Sequence, residues 1–187
     1  MSGNNMNENE QMIATEVLAE MRAIFHSQKT MLDRTLAQLS DEELFWQPDP
    51  ESNSVAIIIK HIAGNMISRW TDFLTTDGEK PDRNRDSEFI TESDTAASLK
   101  AFLDRGYNVF FATLDSLTED DMMKTVTIRN EPHSVIKAMN RQVSHYGYHV
   151  GQIVYIAKMI RKDEWRTLSI PRGKSAEFLA VPPPQQR

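Results

Sequence analysis

The chain has 187 residues, of which 21 are Lys or Arg and 27 are Asp or Glu, giving a formal net charge of −6. Hydrophobic residues make up 40% and charged residues 26%, which is typical of one domain with a sizeable core. The acidic balance argues against a nucleic-acid binder, since no face has a clear excess of Lys and Arg. Cysteine is absent, so disulfides, cysteine-ligated zinc and a protein thiolate nucleophile are excluded. If a thiol takes part in chemistry, the substrate must bring it.

Both ends of the chain are predicted to be tails. Residues 1–10 are polar and acidic, which predicts disorder and is unlike a signal peptide or a membrane anchor. Residues 181–187 contain three prolines and are predicted to be extended. No apolar run approaches the roughly 20 residues of a membrane span, so the expected location is the cytoplasm. Residues 11–180 are expected to form a single domain.

Hydrophobic periodicity predicts four long helices between these tails. Their expected ranges are about 11–39, 54–76, 93–117 and 134–161. Ser40 and Glu43 form a capping box before a short turn, and Ser54 is placed to cap the second helix. The fourth helix is followed by an irregular segment.

Two connections between the helices have distinct compositions. Residues 124–135 carry β-branched residues on both sides of Asn130-Glu131, which predicts a small hairpin or an extended connection. Residues 79–88 hold four acids and three bases, which predicts a solvated loop.

Three histidines lie inside the predicted apolar helices. His145 and His149 are one turn apart on the fourth helix, so they share a face with Cβ atoms roughly 5–6 Å apart. His61 lies in the middle of the second helix. Burying an uncompensated imidazole is costly, and binding one ion would satisfy all three rings at once. The structural alternative for His61 alone is a buried histidine bonded to the backbone.

Three neutral imidazoles with no carboxylate ligand predict a divalent metal site with one open position, typical of catalytic sites. Zinc, nickel and iron(II) all suit this ligand set. No histidine has Glu three residues before it and no HExxH occurs, which excludes a ferritin-like di-iron site and a zincin protease. His26 lacks a partner one turn away and His133 follows Pro132 in the connection, so both are expected to be surface or loop residues.

Helical spacing also predicts which residues lie around the site. These pocket candidates are Asn65, Arg69, Gln142, Tyr148 and Gln152. Three of them have a structural alternative: Asn65 can bond a neighbouring helix, Arg69 can extend its head to solvent, and Tyr148 can pack against neighbours.

Three segments resemble one family. They are WQPDPESNSVAIIIKHIAGNMISRW at 46–70, HYGYHVGQIVYIAK at 145–158 and WRTLSIPRGKS at 165–175. In these motifs the chain resembles the DinB/YfiT-like superfamily of metal-binding four-helix bundles, over about residues 12–175. The third segment indicates a particular bacterial subgroup of it.

The resemblance implies an all-α four-helix bundle with long connections, often a homodimer. It also implies one divalent ion held by His61, His145 and His149. Relatives in the superfamily include S-transferases that use bacillithiol or mycothiol and a glutathione-dependent maleylpyruvate isomerase.

The leading functional hypothesis is therefore a metal-dependent S-transferase whose small-molecule substrate is a low-molecular-weight thiol. A thiol bound to the ion would be deprotonated. One alternative is a hydrolase with a metal-bound water of pKa about 7, which is weakened because no Glu or Asp lies at helical spacing from the histidines. The other is a non-catalytic, metal-binding dimeric bundle with a stress-related role.

Overall fold

Four long helices and one short hairpin organise the protein. The computed structural model describes residues 7–179. The elements in chain order are α1 (Glu8–Leu36), α2 (Val55–Trp70), α3 (Ala96–Ser116), β1 (Thr125–Ile128), β2 (Glu131–Ser134), α4 (Val135–Arg161) and the short α5 (Ser175–Leu179). Single 3-10 turns occupy Glu43–Phe45, Asp86–Phe89, Glu119–Asp121 and Lys162–Glu164. The prediction of a mostly helical chain is confirmed, and the segment predicted as a small hairpin or an extended connection forms a two-stranded antiparallel hairpin.

Local capping explains most of the boundaries. The side chain of Ser54 accepts a hydrogen bond from the backbone N–H of Ile57 at the start of α2, as predicted. Ser40 and Glu43 form the predicted capping box. The predicted fourth helix agrees with α4 to within one residue at its start.

Four boundaries differ from the prediction. Helix α1 ends at Leu36 instead of at about residue 39. Asn7 caps α1 together with Glu10, so residues 8–10 are helical rather than disordered. Helix α2 ends at Trp70 instead of continuing to about residue 76, because Thr71 is extended and Asp72 has φ +48°. The third helix is shorter than predicted by about three residues at its start. Residues 1–6 of the predicted N-terminal tail and the predicted tail at 181–187 lie outside the described residues.

Helix α2 lies at the centre of the packing. It contacts α3 and α4, while α1 packs against α4. Fourteen of its 16 residues are buried, as expected of a helix that is apolar on nearly every side. Gly106 of α3 allows the closest approach to α2, since a Cβ there would lie 3.0 Å from the Cα of Ala63. The histidine of α2 therefore stands on a helix that is buried along most of its length, and it is itself 7% exposed.

A buried aromatic cluster joins the four long helices. Phe25 of α1, Trp70 of α2, Phe110 of α3 and Tyr146 of α4 contact one another with ring centroids 4.7–6.4 Å apart. Edge-on and tilted geometries of this kind add to the stabilisation from burying the rings. The cluster holds α2 against α4, and it adjoins the predicted site through Tyr146, whose ring centroid lies 5.5 Å from that of His145.

The loop that follows α2 is tied to the hairpin. The backbone N–H of Gly78 donates to the carbonyl of Thr127 in β1 at 2.8 Å. The carboxylate of Asp77 accepts from the backbone N–H groups of Arg129 and Asn130, at 2.9 and 2.8 Å. These two residues have positive φ and form the turn of the hairpin, one residue earlier than predicted.

Among the described residues, none of the helices combines the length and the apolar character needed to cross a membrane.

Candidate metal centre

The three histidines of the predicted site converge. His61 of α2 and His145 and His149 of α4 each offer a ring nitrogen, and the three nitrogens lie within 4.8 Å of one another. The Nε2 atoms of His61 and His145 are 3.4 Å apart. Two nitrogen ligands of a tetrahedral ion at 2.0–2.1 Å are separated by about 3.3–3.4 Å, so this pair already has the spacing of two ligands. The predicted grouping is confirmed as a set that could hold a metal ion.

The second nitrogen of two of the rings has a hydrogen-bond acceptor. Nδ1 of His61 lies 2.9 Å from Oε2 of Glu88, and Nδ1 of His149 lies 2.9 Å from Oε1 of Gln152. An N–H at Nδ1 donates to these oxygens and leaves a lone pair on Nε2. This is the tautomer that a metal-ligating histidine requires.

Without an ion, two ring nitrogens of these histidines are buried with no hydrogen-bond partner within residues 7–179. A proton on Nε2 of His145 could join it to His61 by an ordinary hydrogen bond. Nε2 of His149 would still be buried with no hydrogen-bond partner among residues 7–179. A single cation accepts a lone pair from all three rings, so it satisfies this atom as well. Nδ1 of His145 is also buried without a partner in the described part of the chain.

The surroundings keep two of the rings neutral. Burial lowers the pKa of His145 to about 3, and the nearby His149 and His61 act in the same direction. Burial also lowers the pKa of His149 to about 4, against a smaller opposing effect of the hydrogen bond to Gln152. Both rings are therefore in the neutral, metal-binding form at physiological pH.

Glu88 is a component of the site that the sequence analysis missed. Glu88 is 4% exposed, and its Oε2 contacts Nδ1 of His61. Nε and Nη2 of Arg83 donate to the two carboxylate oxygens of Glu88 at 2.8 Å. Burial alone would raise the pKa of Glu88, but the hydrogen bonds from His61 and Arg83 hold it below its usual value. The prediction that 79–88 is simply a solvated loop is wrong for these two residues. An ionised carboxylate behind a ligating imidazole orients the ring and strengthens it as a ligand.

Gly64 makes room for this carboxylate. A Cβ at position 64 would lie 2.2 Å from Oε1 of Glu88. Gly64 stands three residues after His61, on the same face of α2. Because Gly64 has no side chain, the carboxylate of Glu88 can pass over it to reach His61. The contact between Glu88 and His61 therefore requires glycine at position 64.

Replacing Glu88 with Ala is expected to weaken metal affinity by about 10- to 100-fold, because His61 loses its orienting partner. A competition titration against a chromogenic chelator measures the change. Glu92→Ala is the matched control, since Glu92 is exposed and lies in the same connection. Equal affinities of the two variants would mean that the Glu88 contact does not act on the ion.

Asn65 and Gln152 have different relations to the histidines. Gln152 contacts His149 directly, as described above. Asn65 is buried and accepts a hydrogen bond from the hydroxyl of Tyr146 at 3.2 Å, and that hydroxyl accepts from Nε1 of Trp70 at 3.0 Å. Asn65 therefore bonds a neighbouring helix, which was the structural alternative to a role in the pocket.

Two aromatic rings line the outer side of the histidines. Tyr148 is 53% exposed, and its ring centroid lies 4.3 Å from that of His149 and 5.3 Å from that of His145. The ring of Phe89 lies 5.4 Å from that of His61. These rings form the wall between the site and solvent. Gln142 is buried on α4, one turn before His145.

Two of the predicted environments are wrong. Arg69 was expected at the mouth of a pocket or with its head in solvent, but it is 2% exposed and lies beneath Gly78. His133 was expected to be a surface or loop residue, but it is 8% exposed on the inner side of β2. His26 is exposed as predicted and stacks on Phe111 with ring centroids 4.4 Å apart.

The chain matches a family of known proteins over most of its length. A family described as "Protein of unknown function (DUF1572)" matches residues 12–174. The chain belongs to the DUF1572 family. No curated protein matches it. The DUF1572 match includes all three histidines and Glu88.

Proposed function

We propose that this DUF1572 protein is a DinB-like four-helix bundle that holds one divalent metal ion on His61, His145 and His149. We further propose that it is a metal-dependent S-transferase acting on a low-molecular-weight thiol. The convergence of three ring nitrogens within 4.8 Å, two of them backed by side-chain acceptors, is the observation on which the proposal rests.

The residues present fit a divalent ion. The donor set is three imidazoles, and the buried Nε2 of His149 has no partner within residues 7–179. An imidazole set suits zinc, nickel or iron(II). Three protein ligands leave a coordination position for substrate.

The chemistry that the ion supplies is deprotonation of a bound thiol. The chain has no cysteine, so the nucleophilic sulfur belongs to the substrate. A groove of about 310 Å³ begins at Gln152 and is lined by Ile58, Tyr155 and Ile156, among others. It lies one turn from the histidines on both α2 and α4, and its apolar lining suits the carbon portion of a small second substrate.

Hydrolysis is supported less well by the same geometry. Glu88 is the carboxylate in contact with the histidines, yet both of its oxygens are engaged by Arg83 and His61. It is therefore a positioning residue for His61 and is not free to take a proton from a metal-bound water.

The test begins with elemental analysis of the native protein. Metal-free protein is then reloaded with zinc, nickel or iron(II) and assayed with 1-chloro-2,4-dinitrobenzene and a panel of small thiols. In this reaction the thiolate sulfur bonds to the ring carbon, chloride leaves, and the thiol proton passes to the buffer. We expect acceleration that requires the ion, is lost in His149→Ala and is retained in His26→Ala.

Other outcomes of this test favour the alternatives. Ester hydrolysis without thiol transfer would favour a hydrolase. A fully metal-loaded protein that accelerates neither reaction would favour a non-catalytic, metal-binding bundle.

We also propose a homodimer. Tyr148, Tyr155 and Met159 are 53%, 67% and 40% exposed, and their spacing places them on one side of α4. Exposed apolar side chains grouped in this way are common where another protein surface packs. Sedimentation velocity at micromolar concentration should give the mass of two chains, and Tyr155→Lys should shift it to one. A monomeric wild-type protein would contradict this proposal.

A further inference from the structure

A cleft lies between α2, α3 and the connection that joins them. Its volume is about 630 Å³, and small-molecule sites typically have about 300–1,000 Å³. Ile67 of α2 and Phe102 of α3 give the cleft an apolar surface. It shares no lining residue with the groove at Gln152, so it is a second candidate binding site.

Four basic and three acidic side chains also line this cleft, and two of the basic ones are neutralised by ion pairs. Nζ of Lys60 pairs with Asp94 at 2.6 Å. Nε of Arg83 pairs with Glu88 at 2.8 Å. Neither cation can bind an anionic ligand without giving up its own carboxylate, which is costly for groups that are largely buried.

A third basic side chain, Lys80, is held by the backbone. Its Nζ donates to the carbonyl oxygens of Ser68 and Asp77 at 3.0 and 2.6 Å. Burial lowers the pKa of Lys80, and the charges of Asp72 and Asp82, which line the same cleft, act in the opposite direction. One ammonium and two carboxylates leave this part of the cleft with an excess of one negative charge.

Arg105 supplies the opposite charge. It is exposed, it forms no ion pair among residues 7–179, and its guanidinium lies 5.0 Å from the centroid of the Phe102 ring. Contact with the ring limits the positions of the guanidinium and leaves its N–H donors free for a carboxylate. The cleft therefore offers one cationic group, one carboxylate in excess and an apolar surface.

We propose that this cleft binds a small zwitterion with an apolar side chain, the chemistry shared by free amino acids and short peptides. Arg105 binds the carboxylate of the ligand, to which the planar guanidinium offers two parallel N–H donors. Asp72 and Asp82 bind its ammonium group, and Ile67 and Phe102 pack against its side chain. A ligand with only one of the two charges would leave either Arg105 or the carboxylates without a counterion.

The proposed site adjoins the metal centre without including it. Glu88 lines the cleft, and its Oε2 also contacts Nδ1 of His61. Amino acids chelate divalent ions through their own amino and carboxylate groups, so a bound ion would give a second binding signal. The experiment therefore uses metal-free protein, and its outcome does not depend on the proposed metal chemistry.

The test is an NMR titration of the isotope-labelled full chain, freed of metal, at pH 6.5, where both groups of an amino acid are ionised. We expect L-leucine to cause saturable shifts of the backbone amide signals of Gly64 and Phe102, and none at Tyr155 in the other groove. Tighter binding of L-leucyl-L-leucine would assign the cleft to peptides, and weaker binding would assign it to free amino acids. Glycine lacks the apolar side chain and should bind at least about tenfold more weakly.

Two leucine analogues test the charges. L-leucinamide lacks the carboxylate and 4-methylpentanoate lacks the ammonium group, and each should bind about tenfold more weakly than L-leucine. Arg105→Met should bind L-leucine and L-leucinamide equally, whereas the double variant Asp72→Asn, Asp82→Asn should bind L-leucine and 4-methylpentanoate equally. Asn tolerates the φ of +48° at position 72, so the double variant keeps the local backbone.

Arg85→Met is the matched control. Arg85 is likewise exposed and its guanidinium lies 5.1 Å from the centroid of Phe89, but it does not line the cleft. This variant should bind L-leucine like the wild type. The proposal would be overturned by absence of saturable L-leucine binding, by equal binding of L-leucine and either analogue to the wild type, by an Arg105→Met variant that still discriminates, or by loss of binding in Arg85→Met.

Discussion

Replacing His149 with Ala is expected to remove most of the effect of a chelator on the melting temperature at pH 7.5. An ion present at 100 times its dissociation constant stabilises the folded state by about 2.7 kcal/mol. For a domain of this size, 1 kcal/mol corresponds to roughly 2–4 °C. Chelation of the wild-type protein should therefore lower the melting temperature by about 5–10 °C, and the variant should show little change.

The control for this experiment is His26→Ala. His26 is exposed on α1 and stacks on Phe111, away from the converging nitrogens. That variant should keep the full response to the chelator even if its own stability changes slightly. A wild-type protein that contains metal, yet melts at the same temperature with and without chelator at pH 7.5, would show that the three histidines do not hold an ion that stabilises the fold.

The second large effect concerns pH. Reference pKa values near 6.5 predict that protons displace the ion as pH falls through about 6.5 to 5. In the structure, burial holds the pKa of His145 at about 3 and that of His149 at about 4. At pH 5, two rings of reference pKa would weaken binding about a thousandfold, whereas these two should weaken it less than about twofold. We therefore expect the response to the chelator to persist at pH 5.

The same shifts act on the metal-free protein with a definite sign. Below about pH 6.5 these histidines take up protons in the unfolded chain but stay neutral in the folded one. The unfolded state then binds more protons, so the folded state loses stability as pH falls from about 6.5 towards 4 and has its full contribution above 6.5. Metal affinity by competition titration and melting temperature with chelator, each from pH 7.5 to 4.5, separate the two effects. A steep loss of affinity between pH 6.5 and 5.5 would contradict the lowered pKa values.

Local spacing was sufficient to predict the pairing of His145 and His149. Their grouping with His61, 84 residues before His145, was inferred from the cost of burying three imidazoles and from the family resemblance. His145 and His149 share a face because they are four residues apart on one helix, and the apolar sequence around His61 required that its helix be buried. The start of α2 followed from Ser54, whose cap involves only residues three apart. Such features depend on neighbours in the chain, so the sequence alone contains them.

The missed features depend on the path of the chain. Glu88 is 27 residues from His61 and reaches it through an irregular connection, for which periodicity makes no prediction. The early end of α2 depends on the backbone conformation of Asp72. The next residue, Phe73, is buried, so the hydrophobic pattern continues past the end of the helix and does not indicate where it stops. The burial of His133 was missed because a four-residue strand is too short for an alternating pattern to be distinguished from a loop.

The division between helices and loop has an evolutionary consequence. The three candidate ligands stand on helices whose packing constrains almost every neighbouring position, whereas Glu88 and Arg83 stand in a connection. Connections accept substitutions and changes of length far more readily than packed helices do. Mutation in this segment can therefore adjust the Lewis acidity of an ion at the site while the histidines and the core are preserved. Gly64 restricts that freedom from the helix side, since any larger residue there displaces the acid.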